Sequence, residues 1–363
     1  MKFLVLSSDF ATDRDSVAAA VCDAASNAGI ECVLADPCVF TVDGKIPYSK
    51  LIRSLPGAKY VLRAAGKLYG RDDGAFFPVS NFLKNLNECI KNSGFDAVIS
   101  ADRRVTETLT GKDTAAPFYA VLTDYTCPDI KQNAPFDTYF IPHESMRSEL
   151  IARNVPEDKI SVLGVPVPMK FKNRLGKRAA RNYLVIPQKR KVYLVLASGM
   201  SADSVREICD GIIRTEAGDF SVYCFVGRES EVRDTLGEYY GSGDKVRVVA
   251  FTEKINIYME AADVVLSYPL GIISAEAAAA AVPLVHITPK SSFDKTAEFF
   301  SSHEMALRGF DVRDAVKKAK RLLDESAISE RMIKIQLKNI PADSAEKVVG
   351  KISDAITKRK VKI

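Results

Sequence analysis

Residues 251–276 have the arrangement of a site for a phosphorylated ligand. A strand is predicted to end at Ser267, a Pro-Leu-Gly turn follows it, and Ser274 is a candidate N-cap for an alanine-rich helix. Phosphates bind at helix N-termini beyond the carboxyl ends of parallel strands, so we expect the backbone amides of Gly271–Ala275 to face a cleft. The carboxylate of Glu276, expected in the first turn, could accept hydrogen bonds from a ribose diol or could simply complement the helix dipole.

The cysteines and histidines form no recognisable metal or disulfide pattern. The seven cysteines include no CxxC pair, and the three histidines, His143, His286 and His303, are far apart in the sequence. Structural zinc sites and disulfide frameworks have closer, more regular spacing. We therefore expect no metal ion, no cofactor, and reduced thiols that are buried as small apolar groups.

Positive charge is concentrated in two segments of a chain whose net charge is only +5. Lys45–Lys91 carries nine cations against three acids and is interleaved with Tyr, Phe and Leu. That mixture is typical of an interfacial membrane contact, although a nucleic-acid groove or an ordinary basic surface has the same composition. Residues 170–191 carry nine cations and no acid, which indicates either a solvated linker or a positive rim beside a cleft between two domains.

Length and composition are those of an ordinary globular protein. The chain has 363 residues, of which 47% are hydrophobic and 27% charged. This size fits two domains of about 100–200 residues each, and the composition argues against collagen-like or wholly disordered chains. The first ten residues lack the apolar core of a signal peptide, and no run approaches the roughly 18 apolar residues of a spanning helix. We expect a soluble protein of the cytoplasm.

Short apolar runs of strand length alternate with helix-period segments along most of the chain. This alternation is typical of parallel sheets buried on both faces, and its two series predict two doubly wound α/β domains, at residues 1–167 and 192–341, joined by the basic segment 168–191. Helices are predicted over Asp13–Ala28 and from near Ala202, Glu229, Lys254 and Ser274 onwards. The predicted strands are Lys2–Leu6, Glu31–Ala35, Ala97–Ser100, Phe118–Leu122, Thr138–Ile141, Lys159–Leu163, Val192–Ala197, Ser221–Val226, Lys245–Val249, Asp263–Ser267 and Leu284–Ile287.

Several stretches, taken together and in order, resemble the glycolipid-forming glycosyltransferases. This family includes processive diacylglycerol glucosyltransferases and monogalactosyldiacylglycerol synthases, and it is related to the peptidoglycan transferase MurG. The spacing from Phe251-Thr252 through Pro269-Leu-Gly271 to Glu276 is the more specific part of the resemblance. The other matching stretches are Ser7-Ser-Asp9, Thr123-Asp-Tyr-Thr-Cys127, Ile141-Pro-His-Glu144, Gly164-Val-Pro-Val167, Met259-Glu-Ala-Ala-Asp263 and Pro283.

The resemblance implies a GT-B architecture, in which two Rossmann-like domains face a central cleft. The second domain would bind a UDP-sugar. The first, with Tyr60–Lys84 as its membrane-facing region, would bind a lipid acceptor, and the last helix, near residues 342–363, would cross back to it. Phe251 would lie against the base, Gly271 and Ile272 would meet the diphosphate, and Glu276 would hold the ribose. The resemblance also places Ser198, Gly199, Thr252, Pro269 and Ser274 on the donor side and Arg14, Thr123 and Tyr125 on the acceptor side.

Several positions depart from the family pattern. Arg14 occupies the place of a histidine expected to act on the acceptor hydroxyl, and a guanidinium stays protonated at any usable pH, so Arg14 cannot be the general base. Leu270 and Ile273 stand where the family has glycine and threonine. A carboxylate would have to replace the histidine, and the candidates are Asp9, Asp13, Asp15 and Asp124. The sugar-reading positions hold Ser292, Phe293, Thr296 and Ala297, and Ala101-Asp-Arg103 replaces a Thr-His-Pro motif.

The sequence thus favours an inverting hexosyltransferase that moves a sugar from a UDP-sugar to a lipid such as diacylglycerol. Its expected partners are the donor, the lipid acceptor and an anionic membrane surface on the cytoplasmic side of the cell membrane, without nucleic acid. An alternative is a catalytically degenerate paralogue that binds nucleotide, lipid or a partner without transfer. A third hypothesis is a nucleotide-sugar epimerase of similar two-domain fold.

Overall fold

The computed structural model describes residues 1–7, 16–41, 81–111, 114–227, 230–241, 243–289 and 294–361. The chain forms two compact units, which we describe separately. Unit 1 consists of residues 1–168 together with 343–363, and unit 2 consists of residues 169–342.

The core of unit 1 is a parallel sheet of six strands in the order β2-β1-β3-β4-β5-β6. Its central strands are buried on both faces; the side chains of Phe3–Leu6, for example, are 0% exposed. Burial of both faces explains why these strands are continuous apolar runs in the sequence. The strands are β1 (Lys2–Leu6), β2 (Glu31–Ala35), β3 (Ala97–Ser100), β4 (Phe118–Val121), β5 (Thr138–Ile141) and β6 (Ile160–Val162).

Helices cover this sheet, and the last helix of the chain is among them. That helix, α13 (Ser344–Val361), packs against α1 and is tied to the unit by polar contacts, including Lys351 Nζ to Ser161 Oγ at 2.7 Å and Lys360 Nζ to Asp96 Oδ1 at 2.8 Å. The other α-helices are α1 (Ser16–Asn27), α2 (Phe82–Ser93), α3 (Arg103–Thr108) and α4 (Arg147–Ala152), with short 3-10 helices at Pro37–Thr41, Glu144–Met146 and Glu157–Lys159.

Unit 2 contains a second parallel sheet, in the order β12-β11-β10-β7-β8-β9. Its edge strand β12 was not predicted, because the three-residue strand Leu-Arg-Gly lacks an apolar run. The strands are β7 (Lys191–Leu196), β8 (Phe220–Phe225), β9 (Val246–Val249), β10 (Val264–Ser267), β11 (Leu284–Ile287) and β12 (Leu307–Gly309).

The helices of unit 2 include one that begins earlier than its sequence predicts. Helix α9 begins at Gly271, with Leu270 as its cap residue, so Ser274 lies inside the helix and is not the N-cap. The reason is that the Ser274 hydroxyl bonds back to the Leu270 carbonyl, 2.8 Å away, as helix-interior serines do. The helices are α5 (Lys177–Tyr183), α6 (Ala202–Thr215), α7 (Ser230–Tyr240), α8 (Ile255–Ala261), α9 (Gly271–Ala279), α10 (Lys295–Ser302), α11 (Val312–Asp324) and α12 (Ser326–Asn339), with a 3-10 turn at Met169–Phe171.

Much of the charge in the basic segment 170–191 is compensated by acids of unit 2. Arg181, on α5, is 3% exposed and donates to Asp263 Oδ2 at 2.8 Å and to the Ala261 carbonyl at 2.9 Å. Arg190 and Lys191 pair with Asp219 and Glu216, at 2.8 and 3.0 Å. Acids distant in the sequence therefore neutralise cations that look unpaired in the sequence.

Replacing Arg181 with methionine is expected to destabilise unit 2 by about 2 kcal/mol, because the Ala261 carbonyl loses its donor and Asp263, which keeps Lys177 and the Val192 amide, loses its buried cation. Urea denaturation of the full chain measures the change. The matched control is Arg178→Met on the same helix, where the side chain is exposed and the free energy of unfolding should change by less than about 0.5 kcal/mol. Equal stability of the two variants would contradict the structural role of Arg181.

The described cysteines form no disulfide bonds, and two of them lie close together. Cys89, Cys127, Cys209 and Cys224 are buried, as expected for small apolar groups. Cys22 on α1 and Cys32 on β2 are half-buried, and their Sγ atoms are 2.8 Å apart. Burial and the neighbouring thiol raise the pKa of Cys22, with the hydrogen bond to Cys32 as the largest cause. The Cys22 thiol is therefore protonated near neutral pH.

Candidate functional site

The candidate donor site lies at the carboxyl edge of the sheet of unit 2. From β7, the next strands in the sequence, β8 and β9, are added on one side of the sheet, whereas β10, β11 and β12 are added on the other side. The strand order therefore reverses between β7 and β10. In doubly wound sheets, ligands bind beyond the carboxyl ends of the strands at such a switch point. The loop after β7, with Ser198 and Gly199, and the turn after β10, Pro269–Gly271, both leave the sheet at this point.

The first turn of α9 supplies amide groups at this edge. The amides of Gly271, Ile272 and Ile273 precede the first intrahelical bond, which Ser274 N donates to the Leu270 carbonyl at 2.9 Å. Every residue of the helix is buried. A helix N-terminus, whose first amides have no intrahelical acceptor, carries partial positive charge and is suited to an anion such as a diphosphate.

The loop after β7 forms a tight turn next to a second helix N-terminus. The amide of Met200 donates to the Ala197 carbonyl at 2.9 Å, and Gly199 has φ = 75°, a conformation that glycine adopts at little cost. Ser201 caps α6 by accepting from Ser204 N at 3.2 Å. The turn thus holds the Ser198–Gly199 backbone at the switch point, although it has fewer glycines than a glycine-rich phosphate loop.

Phe251 offers an exposed aromatic face at the carboxyl end of β9. Its side chain is 43% exposed, and its amide donates to the Gly227 carbonyl, 2.9 Å away, in the loop after β8. The next side chain, Thr252, accepts a hydrogen bond from Lys254 N at 3.2 Å. An exposed ring that is held by backbone contacts can stack on a planar ligand without refolding of its loop.

Glu276 lies in the second turn of α9, because the helix begins at Gly271. The expectation of a first-turn position was therefore wrong. The dipole effect declines beyond the first turn, so complementing the dipole is a weak explanation for this carboxylate. Glu276 is 7% exposed, and a carboxylate is rarely buried to this extent unless it is paired.

His286 is a residue that sequence reasoning did not assign to this edge. It is fully buried on β11, in register with Ser267 of β10, and its Nε2 lies 2.9 Å from Ser274 Oγ on α9. Burial, and secondarily the charge of Arg308, lower the pKa of His286 to about 3. The imidazole is therefore neutral near pH 7. A histidine within an otherwise apolar strand was the signal in the sequence.

The buried histidine makes unit 2 sensitive to acid. The pKa of His286 is lower in the folded than in the unfolded chain, where it is about 6.5. Its contribution to stability is complete above pH 6.5 and should decrease as the pH falls toward 3, by about 1.4 kcal/mol for each pH unit. Urea denaturation between pH 7 and pH 5 measures this slope, which His286→Gln should reduce. An unchanged slope would contradict the neutral buried state of His286.

In unit 1, the candidate acceptor residues follow β4. Thr123 and Asp124 are half-buried, whereas Tyr125 is 5% exposed. Burial, and secondarily the charge of the adjacent Asp124, raise the pKa of Tyr125. Asp102 is the N-cap of α3 and accepts from Arg104 N at 2.8 Å. His143 caps the 3-10 helix at 144–146 in the same way, accepting from Ser145 N at 3.2 Å.

Several candidate residues lie outside the described residues. They are Asp9, Asp13, Arg14, Asp15, Ser292 and Phe293, together with most of the segment Lys45–Lys91. Thr296 and Ala297 are described: both are buried in the first turn of α10, where Ala297 N donates to Asp294 Oδ1 at 2.9 Å. Asp124 is therefore the candidate base whose surroundings are known.

No metal-binding group of three or more His, Cys, Asp or Glu side chains occurs in the described part of the chain. Among the helices described above, none has the length and apolarity needed to cross a membrane.

A cavity of about 410 Å³ opens at the amino edge of the unit 2 sheet, beside Lys191, Asp263 and Pro283. This cavity is at the opposite edge from the switch point and is separate from the candidate donor site.

Comparison with known proteins identifies relatives of the expected kind. Residues 48–167 match the monogalactosyldiacylglycerol (MGDG) synthase family. The chain is 22% identical over 293 residues to a processive diacylglycerol beta-glucosyltransferase of Bacillus licheniformis, covering 78% of this chain and 74% of that protein. The Bacillus subtilis protein of the same name is 22% identical over 247 residues, which cover 66% of this chain and 64% of that protein. The resemblance to the glycolipid-forming glycosyltransferases is confirmed.

Solved structures show the same fold. Staphylococcus aureus MnaA bound to UDP superposes with a TM-score of 0.65 and 14% identity, covering 98% of this chain and 97% of that chain. MurG of Acinetobacter baumannii superposes with a TM-score of 0.59 and 12% identity, covering 98% of this chain and 100% of that chain. A UDP-GlcNAc 2-epimerase of Neisseria meningitidis superposes with a TM-score of 0.64 and 14% identity, with the same two coverages. The predicted α/β fold with two Rossmann-like parallel sheets, as in GT-B glycosyltransferases, is confirmed.

Proposed function

We propose that this protein is a glycosyltransferase that moves a hexose, with inversion, from a UDP-sugar to a lipid acceptor such as diacylglycerol. The observation that carries the proposal is the first turn of α9: it follows the Pro269–Gly271 turn at the switch point and precedes the buried carboxylate of Glu276. The names of the relatives, diacylglycerol beta-glucosyltransferases and MGDG synthases, support the lipid acceptor.

On the donor side, we assign the diphosphate to the amides of the first turn of α9. Gly271 and Ile272 would donate to it, with Pro269 and Ser274 setting the turn and Ser198 and Gly199 completing the phosphate loop. Phe251 and Thr252 would contact the base, and Glu276 would accept hydrogen bonds from the ribose hydroxyls. As the bond between the anomeric carbon and the diphosphate breaks, the amides would stabilise the charge that develops on the departing UDP.

On the acceptor side, a carboxylate would take the proton of the lipid hydroxyl as its oxygen attacks the anomeric carbon. The candidates are Asp9, Asp13, Asp15 and Asp124. Arg14, Thr123 and Tyr125 would orient the acceptor. A buried phenol with a raised pKa stays protonated, so Tyr125 would act as a hydrogen-bond donor and not as the base.

We place the protein at the cytoplasmic face of the cell membrane, bound peripherally to anionic lipid. The support is the basic and aromatic composition of Lys45–Lys91 and the lipid substrates of the relatives. Flotation with liposomes of 30% anionic lipid is expected to recover the protein at low salt and to lose it at about 1 M salt, where the Debye length is about 3 Å. Equal recovery on neutral liposomes at both salt concentrations would contradict the electrostatic contact.

Two measurements test the function together. Isothermal titration with UDP and with UMP should show that UDP binds more tightly, because only UDP reaches the amides with a diphosphate. Incubation with labelled UDP-hexoses and diacylglycerol, followed by thin-layer chromatography, should show a glycolipid. Absence of nucleotide binding would contradict the proposal.

A second candidate is a paralogue that binds nucleotide without transfer. Leu270 and Ile273 favour it, because Leu270 adds a side chain where the family has glycine, and Ile273, which is buried within α9, lacks the hydroxyl of the family's threonine. Binding of UDP without any glycolipid product would support this candidate. Interconversion of UDP-GlcNAc with its C2 epimer would instead identify an epimerase.

Phe251→Ala is expected to weaken UDP binding about tenfold, since stacking on a base contributes about 1–3 kcal/mol. The affinity for pyrophosphate, which lacks a base, should not change, and titration calorimetry with both ligands tests this. The matched control is Phe310→Ala, at a ring of similar exposure (41%) outside the proposed site. If Phe251→Ala reduced the affinities for UDP and for pyrophosphate by the same factor, the Phe251 ring would not be contacting the base.

A further inference from the structure

A chain of hydrogen bonds runs from His286 to the residue that caps α9. Ser274 Oγ lies 2.9 Å from His286 Nε2 and 2.8 Å from the Leu270 carbonyl oxygen. A carbonyl can only accept, and a hydroxyl has one proton to donate, so the Ser274 hydroxyl donates to Leu270. His286 must then donate its Nε2 proton to the Ser274 oxygen. The geometry thus fixes the tautomer: Nε2 carries the proton and Nδ1 does not.

The surroundings of His286 keep it a neutral donor. The side chain is 0% exposed, and its ring meets the edge of Phe300 with 5.4 Å between the centroids. The charge that faces it from β12 is that of Arg308, its register partner, and this opposes protonation of the imidazole. Among the described residues Nδ1 has no hydrogen-bond partner. An unpaired buried acceptor costs stability, so an apolar side chain would serve the core better if packing were the only requirement.

The hydrogen bonds converge on the residue that precedes the phosphate-binding amides. The Leu270 carbonyl accepts both from Ser274 Oγ and from Ser274 N, at 2.8 and 2.9 Å. Leu270 has no side-chain oxygen with which to cap the helix. The amides of the first turn therefore receive no side-chain acceptor from their cap residue. The Ser274 hydroxyl, which His286 holds from the other side, thus adds a second hydrogen bond to the carbonyl at this end of the helix.

We propose that His286, acting through Ser274, is a positioning residue that holds the first turn of α9 in the orientation in which its amides bind the donor diphosphate. The proposal rests on the proposed function. His286 contacts no substrate; it fixes the Leu270 carbonyl, and the amides of Gly271 and Ile272 follow directly in the chain.

The test measures UDP affinity by titration calorimetry, and thermal stability in parallel. His286→Leu and Ser274→Ala are each expected to weaken UDP binding about tenfold, and the double variant should be no weaker than either alone, because both remove the same chain of bonds. His286→Gln, whose side-chain amide can donate from a similar position, should remain within about threefold of wild type. The matched control is Ser267→Ala, the buried register partner of His286 on β10, which should bind UDP as wild type does.

Nuclear magnetic resonance of the imidazole provides a readout that does not depend on the ligand. Nitrogen shifts of His286 should report the Nε2-protonated tautomer, unchanged between pH 5 and pH 8. The opposite tautomer, or titration near pH 6.5, would overturn the hydrogen-bond chain.

Failure of the inference and failure of the proposed function give different results. If wild type binds UDP and His286→Leu and Ser274→Ala bind it equally well, His286 is a core residue without a positioning role. If wild type does not bind UDP, the proposed function and the positioning role fail together. Should His286→Leu not fold, Ser274→Ala, which leaves the histidine in place, still decides the question.

Discussion

Glu276→Ala is expected to weaken the binding of UDP about ten- to a hundredfold, since hydrogen bonds to a charged group contribute about 1.5–3 kcal/mol. The carboxylate is 7% exposed and lies in the second turn of α9, where the helix dipole gives it little support. The two hydroxyls of a ribose diol would donate hydrogen bonds to the two oxygens of the Glu276 carboxylate. Titration calorimetry with UDP measures the effect, with thermal melting as the check on folding.

The sharper form of this test uses 2′-deoxy-UDP. Wild type should bind UDP more tightly than the deoxy analogue, and Glu276→Ala should lose most of this preference, because the partner of the 2′-hydroxyl is gone. The matched control is Glu298→Ala, in the first turn of α10, which should keep the preference of wild type. If Glu276→Ala still discriminated between the two nucleotides as wild type does, the ribose assignment would be wrong.

Gly309→Ala is expected to destabilise unit 2 by about 3 kcal/mol, at the upper end of overpacking effects. A Cβ at position 309, the last residue of β12, would lie 2.5 Å from both Cα and Cβ of Ala315 on α11. The obstacle is largely backbone, so no side-chain rotation can relieve the clash. Urea denaturation of the full chain, followed by hydrogen exchange of peptides from β11, β12 and α11, locates the loss.

The control for Gly309→Ala is Gly237→Ala in the same unit. Gly237 lies within α7 and has no atom within 4 Å of its added Cβ. Alanine there should be neutral or should stabilise the helix by about 0.5–1 kcal/mol. If the two variants had the same stability, the contact between β12 and α11 would be looser than the structure describes.

The sheets could be predicted from the sequence because both of their faces are buried. A strand such as β1 or β11 must be apolar at nearly every position, and this makes it recognisable without knowledge of its neighbours. The edge strand β12 escaped prediction because Arg308 and Gly309 interrupt such a run. The start of α9 was misplaced for a different reason. Serine occurs both as an N-cap and inside helices, where its hydroxyl donates to the carbonyl four residues earlier. The sequence does not distinguish these two positions, and only the structure shows that the Ser274 hydroxyl donates to the Leu270 carbonyl.

The candidate site could be predicted only in part. The donor segments were recognisable because each one directly follows a strand, and the carboxyl ends of parallel strands meet at one edge. His286 could not be assigned there, because its partner Ser274 reaches it through the packing of α9 on β11 and not through spacing along the chain. For the same reason, the acids that neutralise Arg181, Arg190 and Lys191 could not be identified from the basic segment alone.

A structure of the protein with bound UDP tests the central claim most directly. The account predicts that the diphosphate oxygens lie within about 3 Å of the amide nitrogens of Gly271, Ile272 or Ile273, at hydrogen-bonding distance. A diphosphate bound elsewhere in unit 2, for example in the cavity beside Lys191 and Asp263, with no ligand at the first turn of α9, would contradict it.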